Sequence, residues 1–595
     1  MKLELQCSIT HYHLSFEVKK ASQIILNDLR VKEEVKKLGL PDDAIIQCDS
    51  WMYGADRDST PDTPKAIQAL LYARAPHNHP ESNQVVLICR GYAFPLPFSP
   101  LLDLYLQKVV EITPLATGGK EDGLAYHTGG SKPLDHCAEN EYYHELIKET
   151  RTDLKPLQVV QPDGPSFKVE DDNCVSWQKW RFRVGFNYRE GLVIHDVRYD
   201  KRPLFYRLSV SEMTVPYGDP RSPYNRKQAF DLGDAGAGST ANTLSLGCDC
   251  LGTIYYFSEW LNDEHGAPTR AENVICLHEQ DGGLGWKHTN PRTGKAAVTR
   301  ARSLLLQMVI TVGNYEYAFV FCFNLNGNIE LETRATGILS TALIDPGKTS
   351  DWGNVVSPGV LAPNHQHLFS FRIDPMIEGA NNTIIQEDTE AVPQSEHENP
   401  HGNAFRIVKK PFERSGFADA APLQNRVFKI VNEKKRNRVS QNPVGYKLVP
   451  QPCQLILATP GSVARRRARF AEHHIWVTKY RDGDLWAGGK WTNQSLIDKD
   501  GVVDAAARNE DVRDKDLVLW CTYGMTHNPR VEDFPVMPCE ITTISLKPSD
   551  FFERNPAIDV PQSRQEDNKS VLVGSPMTGT AEVAGQMGSC HKPKL

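Results

Sequence analysis

No stretch of this chain approaches the roughly 20 consecutive apolar residues that a membrane-spanning helix needs, so no membrane partner is expected. A secretory leader is lacking too, because charged and polar residues interrupt Met1-Lys-Leu-Glu-Leu-Gln6 before an apolar core can form. The chain is therefore expected to begin inside the cell, and Asn381-Asn-Thr383 and Asn493-Gln-Ser495, which fit the glycosylation pattern, should go unused. Charge of one sign is not in excess: 67 Lys and Arg against 74 Asp and Glu give a formal charge of −7, which offers nucleic acid no partner. The one basic cluster, Arg465-Arg-Arg-Ala-Arg469, is short and reads as a solvated turn or an interface ion-pair site. The 13 cysteines are odd in number and scattered, which excludes a disulfide scaffold and implies mostly reduced thiols. No internal repeat and no glycine-rich phosphate loop is present.

At 595 residues the chain exceeds one ordinary core. Residues 1–20 form a leading segment, and 21–120 read as a small α+β domain. There the spacing of Ile24, Ile25, Leu29, Val31, Val35 and Leu38 predicts a helix over 21–40 with Gly39 to stop it. Short strands are expected at Ala44–Gln47 and Val85–Cys89, with helical character over Lys65–Arg74. Residues 121–164 are polar and rich in Gly, Pro, His and Glu, a connector with one helix near Glu139–Arg151. From 165 to 556 the texture changes to short alternating strands between Gly, Pro, Asn and Asp turns. Gly191–Val197, Thr253–Phe257, Leu304–Val312, Tyr315–Phe323, His367–Ile373 and Leu517–Tyr523 are examples. Little helix lies between them, so the fold class is mainly β: a large antiparallel β-sandwich preceded by the small α+β domain. Residues 557–595 lose periodicity and read as a polar, disordered tail. It ends in Pro593-Lys-Leu595, which resembles a peroxisomal address of the Ser-Lys-Leu type; the alternative is a cytoplasmic protein.

Chemistry concentrates in a few places. In Asn364-His-Gln-His-Leu368, His365 and His367 stand two apart on a strand, so both imidazoles face one way and form a two-nitrogen clamp. His527, in Thr522-Tyr-Gly-Met-Thr-His-Asn528, is the candidate third ligand. Three imidazoles leave positions open for water or dioxygen and suit copper or zinc better than magnesium or calcium. His473 and His474 are adjacent on a strand and point to opposite faces, so they are set aside as ligands of one metal. On these residues alone a zinc hydratase or hydrolase with an activated water remains open. It leaves Tyr315, in Val312-Gly-Asn-Tyr-Glu-Tyr317, without a role.

Together these residues resemble the copper amine oxidases of the topaquinone type, in their fungal and yeast peroxisomal branch. The family's quinone precursor lies in Asn-Tyr-Asp/Glu, matched by Asn314-Tyr-Glu316, and its copper ligands by His365, His367 and His527. Its catalytic aspartate lies in a segment like Tyr217-Gly-Asp-Pro followed by Arg226-Lys-Gln-Ala-Phe-Asp-Leu-Gly233, which places the base at Asp231. The likeness continues through Gly185-Phe-Asn-Tyr-Arg-Glu-Gly191, Ser245-Leu-Gly-Cys-Asp-Cys250 and Phe551-Phe-Glu-Arg-Asn-Pro556, over about Val31 to Asp559.

The resemblance implies a primary amine oxidase that uses copper and a topaquinone made from Tyr315 and releases aldehyde, ammonia and hydrogen peroxide. It further implies that Tyr217 hydrogen-bonds a cofactor oxygen, that Asn314 restrains the ring and that Met537 lies beside the copper. A second site for calcium or manganese would fall at Asp374, Asp516 and Leu517. Met376 stands where another aspartate is often found, so that site is expected to be weak or empty. Ala235 replaces an aromatic gate, leaving Trp51 as a channel wall and admitting amines bulkier than methylamine. Cys250 and Cys276 match a family disulfide, with Cys248 a competing partner. A homodimer is implied, and there is room for only one complete copy of the two small domains that relatives carry. A protein that keeps the fold but is catalytically silent would have lost Tyr315, Asp231 or a ligand, and all are present.

Overall fold

Two ten-stranded antiparallel sheets face each other across one core. The structure is a computed structural model that describes residues 20–42, 44–74, 94–124, 142–145, 147–263 and 265–573. The strands of one sheet run from Phe167–Glu170 at one edge through Arg202–Pro216, His365–Pro375 and Leu517–His527 to Gly416–Ala418. The other carries Tyr255–Asn262 at one edge, then Pro268–Thr289, Ala296–Val312, Tyr315–Asn324 and Ile329–Gly337 in order, and ends at Phe405–Pro411.

The strand period of two builds the core. Along Tyr315–Asn324 the residues Tyr315, Tyr317, Phe319, Phe321 and Phe323 share the inward face. They meet Phe369, Phe371 and Phe182 of the opposite sheet: Phe319 and Phe369 centroids lie 6.0 Å apart, Phe321 and Phe371 also 6.0 Å, and Phe182 stacks on Phe323 at 4.2 Å. His365–Pro375 is buried along its whole length. Its second face, with Leu368, packs under Phe230, Phe470, Trp476 and Trp520 in a separate cluster. Because the strand is covered on both faces, its polar residues Gln366, Ser370, Arg372 and Asp374 are buried together with its apolar ones.

The small domain is a five-stranded sheet under helical turns. The helix predicted over 21–40 is split: residues 20–27 are helical, and Asp28 then caps a second helix, Leu29–Lys37, by accepting from the backbone N–H of Arg30 and Val31. The helical character expected over Lys65–Arg74 is corrected, because Ala66–Arg74 is a strand. Ile67, Ala69 and Leu71 face the small domain's core, whereas Leu70 and Tyr72 face Tyr224, Ile338 and Ala342 of the sandwich. An apolar run buried on both faces carries no periodicity by which helix and strand can be told apart. The described residues of the predicted Glu139–Arg151 helix are not helical. Val85–Cys89, the first 19 residues and Pro593–Leu595 lie outside the described residues. The basic cluster is corrected in part: Arg465 pairs with Glu472 and Arg469 with Asp498 and Asp504, but Arg467 is fully buried.

Beside the strand Ile475–Lys479, Asp419 accepts from both His473 and His474, at 3.0 and 3.2 Å through their Nδ1 atoms, and His474 Nε2 meets the Cys453 carbonyl at 3.1 Å. Burial alone would lower the His474 pKa; Asp419 and the Cys453 carbonyl outweigh it and push it up to about 10. A histidine raised in the folded state stabilises fully below its unfolded pKa of about 6.5, and that contribution is lost as pH rises through about 10. Thermal unfolding midpoints of the wild type should therefore fall from pH 6.5 to 10 relative to His474→Gln, and parallel curves would refute the assignment.

Candidate active site

The strand register assembles the histidines. His365 lies directly opposite His527 on the neighbouring strand, and His367 is two residues further along the same face. The three are buried, with one ligand atom each lying within 4.8 Å of the others, and they form the only such group of three among the described residues. They sit where the inward row of phenyl rings ends, so imidazoles take over positions that Phe369 and Phe371 hold deeper in the core.

Each ring is oriented by a bond from its far nitrogen. His365 Nδ1 meets the Pro363 carbonyl at 2.9 Å, His367 Nδ1 meets the Tyr317 hydroxyl at 2.8 Å, and His527 Nε2 meets Asp533 Oδ2 at 3.0 Å. The near atoms are then His365 Nε2, His367 Nε2 and His527 Nδ1. Two of these, His367 Nε2 and His527 Nδ1, are buried with no hydrogen-bond partner. A buried polar atom left unpaired costs about 1–3 kcal/mol, and a soft divalent cation would satisfy both at once. Burial, and then the neighbouring imidazoles, hold His365 well below the ordinary histidine range; burial and His527 take His367 to about 3. These rings are neutral donors, as metal ligation requires.

Tyr315 is delivered to this cluster by a hairpin. Val312 pairs with Tyr315 across the two-residue turn Gly313-Asn314, with Gly313 at φ 59°, a conformation glycine adopts freely. The Tyr315 hydroxyl lies 2.9 Å from His365 Nε2, against the one near nitrogen that has a partner. On the far side of the turn, a Cβ at Gly337 would come within 2.4 Å of the Asn314 carbonyl oxygen, so glycine is required there. Burial raises the Tyr315 phenol pKa, and the phenol stays protonated at neutral pH. Tyr217 stacks on His365 at 5.0 Å, on the same imidazole that the Tyr315 hydroxyl meets, and its own hydroxyl is buried without a hydrogen-bond partner.

Asp231 opens a single π-turn, Asp231–Ala235, and is buried. Burial, then the carboxylates of Asp234 and Glu212, raise its pKa well above the usual carboxylate range. Leu232, next to it in the turn, packs in the same core as Tyr315 and Tyr317, with Tyr217 against that core. Trp51, from the small domain, meets Tyr217 edge to face at 5.7 Å. Lys227 Nζ sits 4.1 Å from the Trp51 ring and 4.2 Å from the Tyr217 ring and reaches Ser340 Oγ; burial lowers its pKa to about 7. Ala235 is half-buried beside Tyr188, whose hydroxyl donates to its carbonyl at 3.5 Å. Met537 is buried and pairs with Gly337, which in turn pairs with Tyr315 on the next strand.

The remaining sequence candidates fall elsewhere. Asp374 is buried and bound by Arg372 at 3.2 Å; burial, partly offset by Arg372, raises it to about 6, with Asp516 the neighbouring carboxylate. Leu517 begins the strand beside Asp516. A guanidinium thus occupies the side of Asp374 from which a second cation would gain charge. Cys250 and Cys276 are buried in one cluster with their thiols in contact, while Cys248 is exposed. Sequence reasoning missed Tyr317, which its two-residue offset from Tyr315 could have revealed, and Asp533, Lys227, Asp234 and Glu212.

Residues 168–567 match the family described as "Copper amine oxidase, enzyme domain". Copper amine oxidase 1 of Aspergillus niger is 50% identical over 534 residues, 89% of this chain and 78% of that protein. The peroxisomal primary amine oxidase of Pichia angusta is 36% identical over 563 residues, 91% of this chain and 77% of that protein. Among solved structures, a copper-containing benzylamine oxidase from Hansenula polymorpha superposes with a TM-score of 0.87 at 43% identity, covering 93% of this chain and 84% of that one.

Replacing His527 by Ala removes one of the three near nitrogens and should lower bound copper, measured by elemental analysis after dialysis, at least tenfold with far-ultraviolet circular dichroism unchanged. Full copper occupancy in His527→Ala would contradict the ligand set.

Proposed function

The chain belongs to the copper amine oxidase family, and on that premise we propose that Tyr315 is the precursor of its quinone, that His365, His367 and His527 hold its copper, and that Asp231 is its base. The protein is a copper-dependent primary amine oxidase using topaquinone: RCH2NH2 + O2 + H2O → RCHO + H2O2 + NH3. One observation carries the residue assignment. The Tyr315 hydroxyl stands 2.9 Å from His365 Nε2 while the near nitrogens of His367 and His527 have no partner, so one cation would complete all three and touch the phenol.

When bound, copper supplies the oxidation of the Tyr315 ring by dioxygen, and the resulting quinone supplies the electron sink for the amine. The chain does the rest. Asp231 accepts the proton from the amine's α-carbon; as a buried carboxyl among like charges it is a strong base once deprotonated. Tyr217, packed between His365 and Trp51, directs its hydroxyl to the Tyr315 ring edge and limits rotation of that ring. Asn314, in the turn directly before Tyr315, is assigned to restraining the same ring. Phe230 and Leu232, both fully buried, bracket Asp231 and keep water from competing for the proton. The carboxylates Asp374 and Asp516 form at most a weak second cation site, since Arg372 already neutralises Asp374.

Trp51 walls the approach from the small domain, and Ala235 leaves it without an aromatic gate. The Hansenula polymorpha relative is titled a benzylamine oxidase, which supports a channel wide enough for aryl amines. The hairpin of Pro268–Thr289 and Ala296–Val312 exposes Leu284 towards its tip, and the edge strand Phe405–Pro411 exposes Phe405 and Ile407; both support a homodimer. Relatives from tobacco and Pichia angusta are named peroxisomal, which supports the same compartment here. Among the described residues no helix is long and apolar enough to cross a membrane. Contact between the Cys250 and Cys276 thiols supports their pairing as a disulfide.

Tyr315→Phe should retain copper yet consume no dioxygen with any amine; turnover by that variant would sink the cofactor assignment. Asp231→Asn should keep the cofactor and lose about 10²–10⁴-fold in kcat. In a substrate panel, benzylamine should exceed methylamine in kcat/KM, and a strict preference for methylamine would refute the open channel.

A further inference from the structure

Five charged side chains are shut together behind the Asp231 turn: Asp231, Asp234, Glu212, Arg189 and Arg467, none more than 5% exposed. Two of the carboxylates are firmly held. Arg189 Nη2 donates to Glu212 Oε2 at 2.7 Å and to the Gly489 carbonyl at 2.8 Å. Asp234 accepts from Thr492 Oγ1 at 2.7 Å and from the Phe230 backbone N–H at 3.3 Å. Arg467, whose guanidinium donates to Gln228 Oε1 at 3.2 Å and the Thr492 carbonyl at 3.3 Å, is the cation nearest in effect to Asp234.

The turn is pinned to this frame through its glycine. The Gly233 N–H donates to Glu212 Oε1 at 3.0 Å, and a Cβ at Gly233 would lie 2.2 Å from Thr492 Oγ1 and 2.9 Å from Glu212 Oε2. The pattern Asp231-Leu-Gly-Asp234 is thereby explained: a free carboxylate, a glycine where two side chains crowd the backbone, and a second carboxylate that ties the turn to the 486–495 loop. Three carboxylates face two guanidinium groups: Arg189 is bonded to Glu212, Arg467 to Gln228 and the Thr492 carbonyl, and neither is bonded to Asp231.

We propose that Asp234 and Glu212 are positioning residues for Asp231: two buried carboxylates, one held by Thr492 and the Phe230 backbone and one by Arg189, that fix its turn and surround it with like charge, so that the substrate's ammonium is the third cation the enclosure lacks. The proposal rests on Asp231 being the base. The groups facing Asp231 are Asp234 from its own turn, Glu212 from the Arg202–Pro216 strand, and the phenols of Tyr217, Tyr315 and Tyr317. Apart from the two guanidinium groups bonded elsewhere, the buried cations of this region among the described residues are Lys227, whose charge partners are Asp49 and Asp219, and Arg221, paired with Asp219 at 2.7 Å. Without substrate, burial and like charge keep the Asp231 carboxyl protonated. An entering ammonium, or the positive charge developing on the amine nitrogen, relieves that repulsion; the Asp231 proton is released to water, and the carboxylate so formed takes the α-proton.

The sign of the effect separates this role from mere support of the fold. Asp234→Asn removes a neighbouring negative charge while retaining the Thr492 and Phe230 bonds, so the acid limb of kcat/KM should move to lower pH by about one unit; Arg467→Gln should move it upward. Infrared difference titration of metal-free protein carrying 13C-labelled aspartate, with Asp231→Asn identifying the band, should show the same two displacements without turnover. Glu212→Gln should displace the band in the direction of Asp234→Asn. If the Asp231 band does not move in Asp234→Asn or Arg467→Gln, or moves the same way in both, the proposal is overturned. If the band moves as expected but Asp231→Asn retains full turnover, the base assignment fails instead.

Discussion

The centre of this protein depends on the register between two neighbouring strands, which sets His365 directly across from His527. A slip of one residue would turn His527 from the inward face to the opposite one, among Leu368 and Trp520, and leave two histidines instead of three. The register is held by burial on both faces of both strands over many residues, a cost that no local change in the loops can offset. The aromatic rows that fill the sandwich therefore also determine where the nitrogens stand.

Dryness follows from the same packing and decides the protonation states. In water, imidazoles this close would exchange protons freely and a carboxyl would be ionised. Enclosure holds His365 and His367 below the ordinary histidine range, raises the Tyr315 phenol and raises the Asp231 carboxyl well above the usual carboxylate range. A site of this kind discriminates by charge as much as by shape, because an amine arriving as a cation alters every one of those equilibria. The small domain takes part through Trp51, which closes the enclosure over Tyr217 and Lys227. The interface of Leu70 and Tyr72 with Tyr224 and Ile338 holds the two units together there.

Much of this was legible from the order of residues, for identifiable reasons. Tyr315–Asn324 announces itself by an aromatic ring at every second position, and the Gly313-Asn314 turn fixes where it begins. The histidine pair needs only the period of two. Legibility ended where both faces of an element are buried: Ala66–Arg74 is rich in Ala and Leu, which favour helices, and only the sandwich on its far side makes it a strand. The break at Asp28 was hidden because hydrophobic spacing continues through a residue that caps the second helix. Arg467 and Glu212 were invisible as site residues, since each is brought to the Asp231 turn by topology alone, from opposite sides of it in sequence.

The claim at the centre of this account is that the protein makes its own cofactor from Tyr315, and it is tested most directly by chemistry on that residue. Metal-free protein is loaded with copper(II) under air, treated with phenylhydrazine, digested and mapped. The account predicts a coloured adduct on the peptide containing Tyr315, formed only when copper is present. An unmodified, colourless Tyr315 peptide from protein with copper bound would contradict it.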